Sequence, residues 1–336
     1  MFRPGPRNLI TDIAGLTVGH ATDEQVRTGV TALLCPAGWP AAVDVRGGGP
    51  GTRETEALSS ENLVGRAHAV VLAGGSVFGL GAADGVAAAL SIRQIGLSLR
   101  PGSPAIPIVP AAVLHDLGNG GDKDWELEPP YRGLGLLAVD SAQEDFQLGS
   151  IGAGRGAMAG WVKGGIGSCS IDLGEGLLVG ALIALNSVGS ALMPDGKTYW
   201  AWPFELEREF GGHGAPRAPM DLSDPSPDQA RLNAVGRLKA GANTTIGVIA
   251  CNADLATAEC KRVAIMAQDG IARAVRPAHT PFDGDTLFAL ASGEIKLGEQ
   301  ALRPAQVGRI GSAAADCVAR AVARAVHASQ SHRKNP

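Results

Sequence analysis

The sequence predicts an α+β fold, and three observations carry that reading. Short β-like runs follow one another directly, two segments near the C-terminal end keep a helical period, and no internal repeat or low-complexity tract interrupts the chain. With 336 residues, 45% of them hydrophobic, it can bury one large core or two smaller ones.

The strand-like runs come first. "LTVGH" (16–20), "GVTALLC" (29–35), "AAVDVRG" (41–47) and "AHAVVLAG" (67–74) are rich in valine, leucine or threonine and end at glycine or proline. The stretch "VFGLGAADGVAAALS" (77–91) reads as a helix of small residues, and "AIPIVPAAVL" (105–114) as a strand whose prolines put it at an edge or a bulge. "GIGSCSIDL" (165–173) and "LLVGALIALN" (177–186) read as neighbouring buried strands. From 191 to 243 charges, prolines and glycines mix without an apolar period, so a flexible linker is expected there, with one short helix near 227–239. Order returns with the strand "TTIGVIA" (244–250). Residues 254–275 then place Val263, Met266, Ala267, Gly270, Ile271 and Ala274 on one helix face. "DTLFALASG" (285–293) is a strand. The last helix aligns Val307, Ile310, Gly311, Ala314, Val318, Ala321, Val322 and Ala325, with Arg309, Asp316, Arg320 and Arg324 opposite.

Composition removes several function classes. Aromatics make up 4% and the net charge is −4, so there is neither a base-stacking surface nor a basic field, and no nucleic-acid partner is expected. Cys35, Cys169, Cys251, Cys260 and Cys317 are scattered among small and aliphatic residues, which reads as buried thiols of a reducing compartment and not as a zinc site. Prolines break the apolar run that a signal peptide needs in "MFRPGPRNLITDIAG", and no segment reaches about 18 apolar residues. A soluble cytoplasmic protein with no membrane partner is the expectation.

Glycine-rich stretches invite nucleotide readings and fail them. In "VVLAGGSVFGLGAADG" the spacing of Gly75, Gly79 and Gly81 is not that of a dinucleotide fingerprint, and Phe78 stands where a nucleophile elbow needs glycine. "RGGGPGTRE" (46–54) lacks the lysine of a phosphate loop. These glycines are better suited to close backbone approach.

The junction "GANTTIGVIACNADL" (241–255) changes abruptly from loop to strand. One reading is an ordinary loop end. Another is chemical: a threonine hydroxyl held against the preceding carbonyl can attack it, pass through an ester and free its own α-amino group. With a reference pKa of about 7.7 to 8.0, that amine can then serve as base for the same hydroxyl. In "FDGDT", Asp283 and Asp285 are two apart and share one side of an extended stretch. By spacing alone they are a glycine turn before a strand, a carboxylate pair or, more weakly, a calcium loop. Lys163 in "VKGGIGS" and Asn186 in "ALNSVG" are by themselves a surface lysine and a turn former.

Seven blocks in order, "VRGGGPGTRETEAL", "VLAGGSVFGLGAADGV", "IPIVPAAVLHDL", "GSIGAGRGAMAGWVKGGIGS", "GALIALNSVG", "NTTIGVIACNADL" and "RPAHTPFDGDTLFAL", resemble the autocleaving N-terminal-nucleophile hydrolases from about residue 8 to about 328. That family includes L-aminopeptidase/D-esterases, β-aminopeptidases and 6-aminohexanoate-oligomer endohydrolases, and the Asn-Thr-Thr-Ile-Gly junction looks most like the last of these. The resemblance implies a single domain, 1–336, with a four-layer α-β-β-α sandwich. It also implies cleavage between Asn243 and Thr244 into an α chain of 1–243 and a β chain of 244–336. Thr244 would be the nucleophile, Thr245 its one-residue competitor, and Asp283 and Asp285 the acids that orient and activate it. Asn186 would donate to an oxyanion and Lys163 would stabilise charge. The family also uses a tyrosine near the "IPIVPAAVL" block, where this chain offers His115 and, further on, Tyr131, both assigned to the substrate. No metal or organic cofactor is implied, and a homotetramer of cleaved protomers is expected. The expected substrates are linear aliphatic amide oligomers, with small peptides or amino-acid amides as the alternative and acyl transfer as a third reading. A non-catalytic dinucleotide-binding module is the alternative from a different class.

Overall fold

The computed structural model describes residues 2–220, 222–224, 230–233, 243–298 and 301–331. Its strands are β1 (Thr17–Asp23), β2 (Thr28–Val45), β3 (Thr52–Arg53), β4 (Arg66–Ala73), β5 (Ala111–Val113), β6 (Met158–Ala159), β7 (Val162–Lys163), β8 (Gly165–Asp172), β9 (Leu178–Asn186), β10 (Thr244–Ala253) and β11 (Thr286–Ile295). The helices are α1 (Ala82–Ile92), α2 (Tyr131–Asp140), α3 (Thr257–Ala274) and α4 (Arg303–Ser331).

Nine strands are joined in the order β3-β5-β4-β2-β11-β10-β9-β8, with β1 on the first half of β2 and β6-β7 as a separate hairpin. The two expected strands at 29–35 and 41–47 are one strand of 18 residues. Its pairing register shifts between Leu34 and Trp39; the first part pairs with β1 and β4, and the part from Ala41 with β11. This irregularity lets one strand belong to two facing layers. Apolar side chains then segregate by strand parity. Leu33, Val70 and Leu72 meet Leu182, Ile246, Val248 and Phe288 between the layers. Ile183, Ile249 and Leu287 pack outward on Val263, Ile271, Val318 and Val322 of α3 and α4. On the other outer face Val30 and Val71 pack on Val86, Leu90, Leu134 and Val139 of α1 and α2. The order helix–sheet–sheet–helix is the expected sandwich. Each fully buried aliphatic side chain contributes roughly 1.5–3 kcal/mol, and all ten residues of β10 are buried.

Three details depart from the sequence reading, and a fourth lies largely outside the described residues. The strand expected over 105–114 is confined to Ala111–Val113, following Pro107 and Pro110, which have no N–H for a ladder. Helix α2, unexpected because Gly133 and Gly135 weaken its local preference, is settled by packing on α1: the Gly135 Cα approaches so closely that a Cβ would lie 2.2 Å from the Ala82 carbonyl. The segment after 191 is not loose at its start, because Tyr199 and Phe210 stack edge to face and are buried in the core beneath α4. Of the helix expected near 227–239, only the short turn Arg231–Asn233 falls within the described residues. All five cysteines are buried and unbridged.

Candidate active site

Strand β10 lies between β9, antiparallel, and β11, parallel. Thr244, its first residue, sits opposite Asn186, and on the alternating pattern it shares the face of Ile246, Val248 and Ala250, which fill the space between the sheets. Thr245 belongs to the other face. The Thr244 hydroxyl donates to the Asn243 carbonyl oxygen. That oxygen also accepts the backbone N–H of Gly284 at 2.9 Å. A hydroxyl and a positioned N–H donor therefore converge on one peptide group. Thr245 is different: its Oγ1 is buried and has no hydrogen-bond partner among the described residues.

The "FDGD" turn is held by backbone contacts from the glycine-rich loop before β3. Gly49 N–H donates to the Asp283 carbonyl at 2.8 Å and Arg46 N–H to the Asp285 carbonyl at 2.9 Å. Any Cβ on Gly47 would stand 2.3 Å from the Asp283 carbonyl oxygen, so the loop needs glycine for close approach and not for phosphate binding. Gly284 is equally constrained, since a Cβ there would lie 2.8 Å from Thr244 Oγ1 and 2.8 Å from the Gly49 carbonyl oxygen.

The two carboxylates have separate partners. Asp285 Oδ1 accepts from the Thr245 N–H at 2.7 Å, and its Oδ2 meets His279 Nδ1 at 2.8 Å and accepts the His279 N–H at 3.2 Å. Asp283 Oδ2 accepts from the Thr280 hydroxyl at 2.6 Å and its N–H at 2.9 Å, and Oδ1 accepts the Val188 N–H at 3.2 Å. Burial first, and then the neighbouring Asp285 charge, push the Asp283 pKa from 3.8 up to about 6 despite those donors. His279 is raised too: burial opposes its charge, but the hydrogen bond and charge of Asp285 outweigh it.

Asn186 anchors two backbone groups, donating from Nδ2 to the His115 carbonyl at 3.0 Å and accepting the Met158 N–H on Oδ1 at 3.0 Å. The donor seen on the Asn243 carbonyl is Gly284, not Asn186. Lys163, on β7, pairs with Met158 in the hairpin beside Asn186. His115 lines a cleft of ≈ 380 Å³ with Gly49, Pro50, Ser76, Val77 and Leu80. Gly49 and Pro50 are also the residues packed against Gly284 at the nucleophile. Tyr131 lies elsewhere, fully buried under that cleft's rim: its hydroxyl donates to Thr28 Oγ1 at 3.3 Å, Thr28 donates to Asp116 at 2.7 Å, and Asp116 accepts the Gly75 N–H at 2.8 Å. It supports the Gly75–Ser76 turn and does not line the cleft.

Sequence reasoning missed His279, Thr280, Gly284 and Arg231. The first three lie within or beside the acidic block, in "AHTPFDGDT", where the two aspartates drew the reading. Arg231 lies in the expected linker. Its Nη2 donates to the Ser187 and Met158 carbonyls at 2.8 and 3.3 Å, and burial lowers its pKa to about 10 while the Asp283 charge opposes the shift. Among the described residues no group of three or more His, Cys, Asp or Glu is placed to hold a metal ion, and no helix is long and apolar enough to cross a membrane.

Residues 8–335 match peptidase family S58. An uncharacterized aminopeptidase of Mycobacterium tuberculosis is 43% identical over 334 residues, covering 94% of this chain and 92% of the relative. A 6-aminohexanoate-oligomer endohydrolase of Agromyces sp. is 31% identical over 301 residues, covering 87% and 77%. Among solved structures, an L-aminopeptidase D-Ala-esterase/amidase from Ochrobactrum anthropi, described as a variant of the N-terminal-nucleophile hydrolase fold, superposes with a TM-score of 0.68 at 22% identity, covering 97% of this chain and 87% of its own.

Proposed function

This chain belongs to peptidase family S58, and from that premise we propose that it is a self-processing amide hydrolase whose nucleophile is Thr244. The observation that carries the reading is the shared oxygen of Asn243, which takes both the Thr244 hydroxyl and the Gly284 N–H. Attack of Oγ1 on the Asn243 carbonyl carbon moves negative charge onto that oxygen, where the Gly284 donor already stands. The C–N bond breaks, its nitrogen takes up the proton that Oγ1 gives up and leaves as the Thr244 amine, and the acyl group passes to Oγ1 as an ester. Water then releases the Asn243 carboxylate and restores the hydroxyl. Asp285 binds the N–H of Thr245, one residue from the new amine, and His279 holds the second oxygen of that carboxylate.

In turnover the amine takes the hydroxyl proton, Oγ1 attacks a substrate amide, the leaving amine is protonated, and water cleaves the acyl-enzyme. The adjoining cleft interleaves the apolar Val77, Leu80 and Val113 with the polar Ser76 and His115, which suits linear aliphatic amide oligomers, whose methylene runs alternate with amides. A second reading, an aminopeptidase acting on small peptides, is favoured by the name of the mycobacterial relative at 43% identity. Both share the nucleophile, and assaying a 6-aminohexanoate oligomer beside amino-acid amides separates them. Intact mass spectrometry tests the common step: we expect fragments 1–243 and 244–336, with Thr-Thr-Ile-Gly-Val at the start of the smaller. Thr244→Ala should leave one uncut, inactive chain. Amide hydrolysis by an uncut wild-type chain would refute the mechanism.

A further inference from the structure

Across the loop from His115 to Asn119 lies a second pocket of ≈ 200 Å³, lined by Arg27, Asn119, Arg155, Gly156 and Lys163. Three of its five lining residues are cationic and none is acidic. Such a concentration runs against a net charge of −4 for the whole chain. The pocket is braced: Asn119 Nδ2 donates to the Arg27 carbonyl at 2.5 Å, Arg27 Nη1 returns a bond to the Asn119 carbonyl at 3.3 Å, and Lys123 donates to Asn119 Oδ1 at 2.9 Å. Arg155 pairs with Glu24 at 2.6 Å, but Glu24 is 70% exposed and that pair is solvent-screened. Arg27 makes no ion pair among the described residues.

The pocket also adjoins the reacting end of the molecule. Lys163 pairs with Met158, Met158 is tied to Asn186, and Asn186 faces Thr244 across the ladder. Asn119 lies four residues beyond His115, whose side chain lines the apolar cleft. The cleft and the pocket thus flank the loop from His115 to Asn119, and the pocket's guanidinium and amide donors match a carboxylate in charge and geometry.

Resting on the Thr244 reading, we propose that this pocket receives a free carboxylate of the substrate, so that the enzyme selects amides carrying an acidic end. The test uses wild-type enzyme and four compounds: the linear 6-aminohexanoate dimer and its terminal carboxamide, and alanyl-alanine and its carboxamide. We expect at least one acid to exceed its carboxamide by about tenfold or more in kcat/KM, expressed in KM and weakened by added salt. The pair that shows it names the source of the carboxylate, aliphatic oligomer or peptide. In Arg27→Gln that acid-to-amide ratio should fall toward one. Equal turnover of acids and amides by the wild type, or a ratio untouched in Arg27→Gln, overturns this inference alone. No turnover of any of the four, by a chain cut at Thr244, overturns the amide-hydrolase reading and this inference with it.

Discussion

Two buried polar regions of this molecule are built for opposite ends. At the junction, the Asn243 carbonyl is surrounded by Thr244 and Gly284, and the side-chain amide of Asn243 is buried without a hydrogen-bond partner among the described residues. On α4, by contrast, Arg320 is fully buried and saturated: it binds Glu209 at 2.5 Å, the Ser170 carbonyl at 2.8 Å and Asn8 Oδ1 at 2.9 Å. Arg324 adds bonds to the Asn8 and Ser168 carbonyls. In the proposed cleaved form, both arginines belong to 244–336 and their partners to 1–243. On the proposed mechanism one region is arranged to break a bond, and the other to keep the products of that break together. A site built to react keeps groups poised on one atom, whereas a clasp gives each buried guanidinium nitrogen a partner, as Arg320 shows.

The contrast can be broken at either end. The largest expected effect is at the clasp: Arg320→Ala leaves the buried Glu209 carboxylate with only Asn8 Nδ2 at 2.7 Å, the Leu206 N–H at 3.3 Å and the more distant Arg324 at 3.7 Å, so we expect a loss of about 3 kcal/mol, read by urea unfolding of the uncut Thr244→Ala background. If that loss is absent, the clasp does not hold the chains. Gly284→Ala comes next. Its methyl would crowd Thr244 Oγ1 and shift the N–H donor, and removing such a donor costs on the order of a hundredfold in rate; time-resolved gels of self-cleavage will show it.

Asp283→Asn should act mainly through pH. Because the folded-state pKa is raised from 3.8 to about 6, the folded state binds the proton more strongly across that window, and stability should fall as pH rises through it. His279 works in the same direction, since its raised pKa gives stability that is present below pH 6.5 and lost as pH climbs through the raised value. Melting curves of the uncut protein and of Asp283→Asn between pH 4 and 7 should therefore diverge, the variant lacking the fall in stability that Asp283 contributes as pH rises toward about 6. Thr245→Val should do least, leaving cleavage intact and changing stability by less than about 1.5 kcal/mol, because it removes a hydroxyl with no hydrogen-bond partner among the described residues. If Thr245→Val instead abolishes cleavage, the nucleophile has been misplaced by one residue.

Much of this architecture could be read before folding. The period of α3 named Val263, Met266, Ala267, Gly270, Ile271 and Ala274, and all but the half-buried Met266 are buried. The parity of β10 already separated Thr244 from Thr245, because neighbouring residues of a strand face opposite ways. The α4 face bearing Arg320 and Arg324 was legible as polar, but not its cover, since Asn8 and Glu209 come from 312 and 111 residues away.

What the linear chain determined by itself was local: which runs are strands, which helix faces are apolar, and where a loop gives way to Thr244. These follow from backbone preference and from periods of 2 and 3.6 residues, which a reader of residues can count. The tertiary structure alone decided that Gly284 points its N–H at the Asn243 carbonyl, that His279 grips Asp285, that Tyr131 sits beneath a loop and not in the cleft, and that β2 serves two sheets. Each depends on groups brought together by packing across long stretches of chain or by the turn of a particular loop, and composition contains no record of such distances.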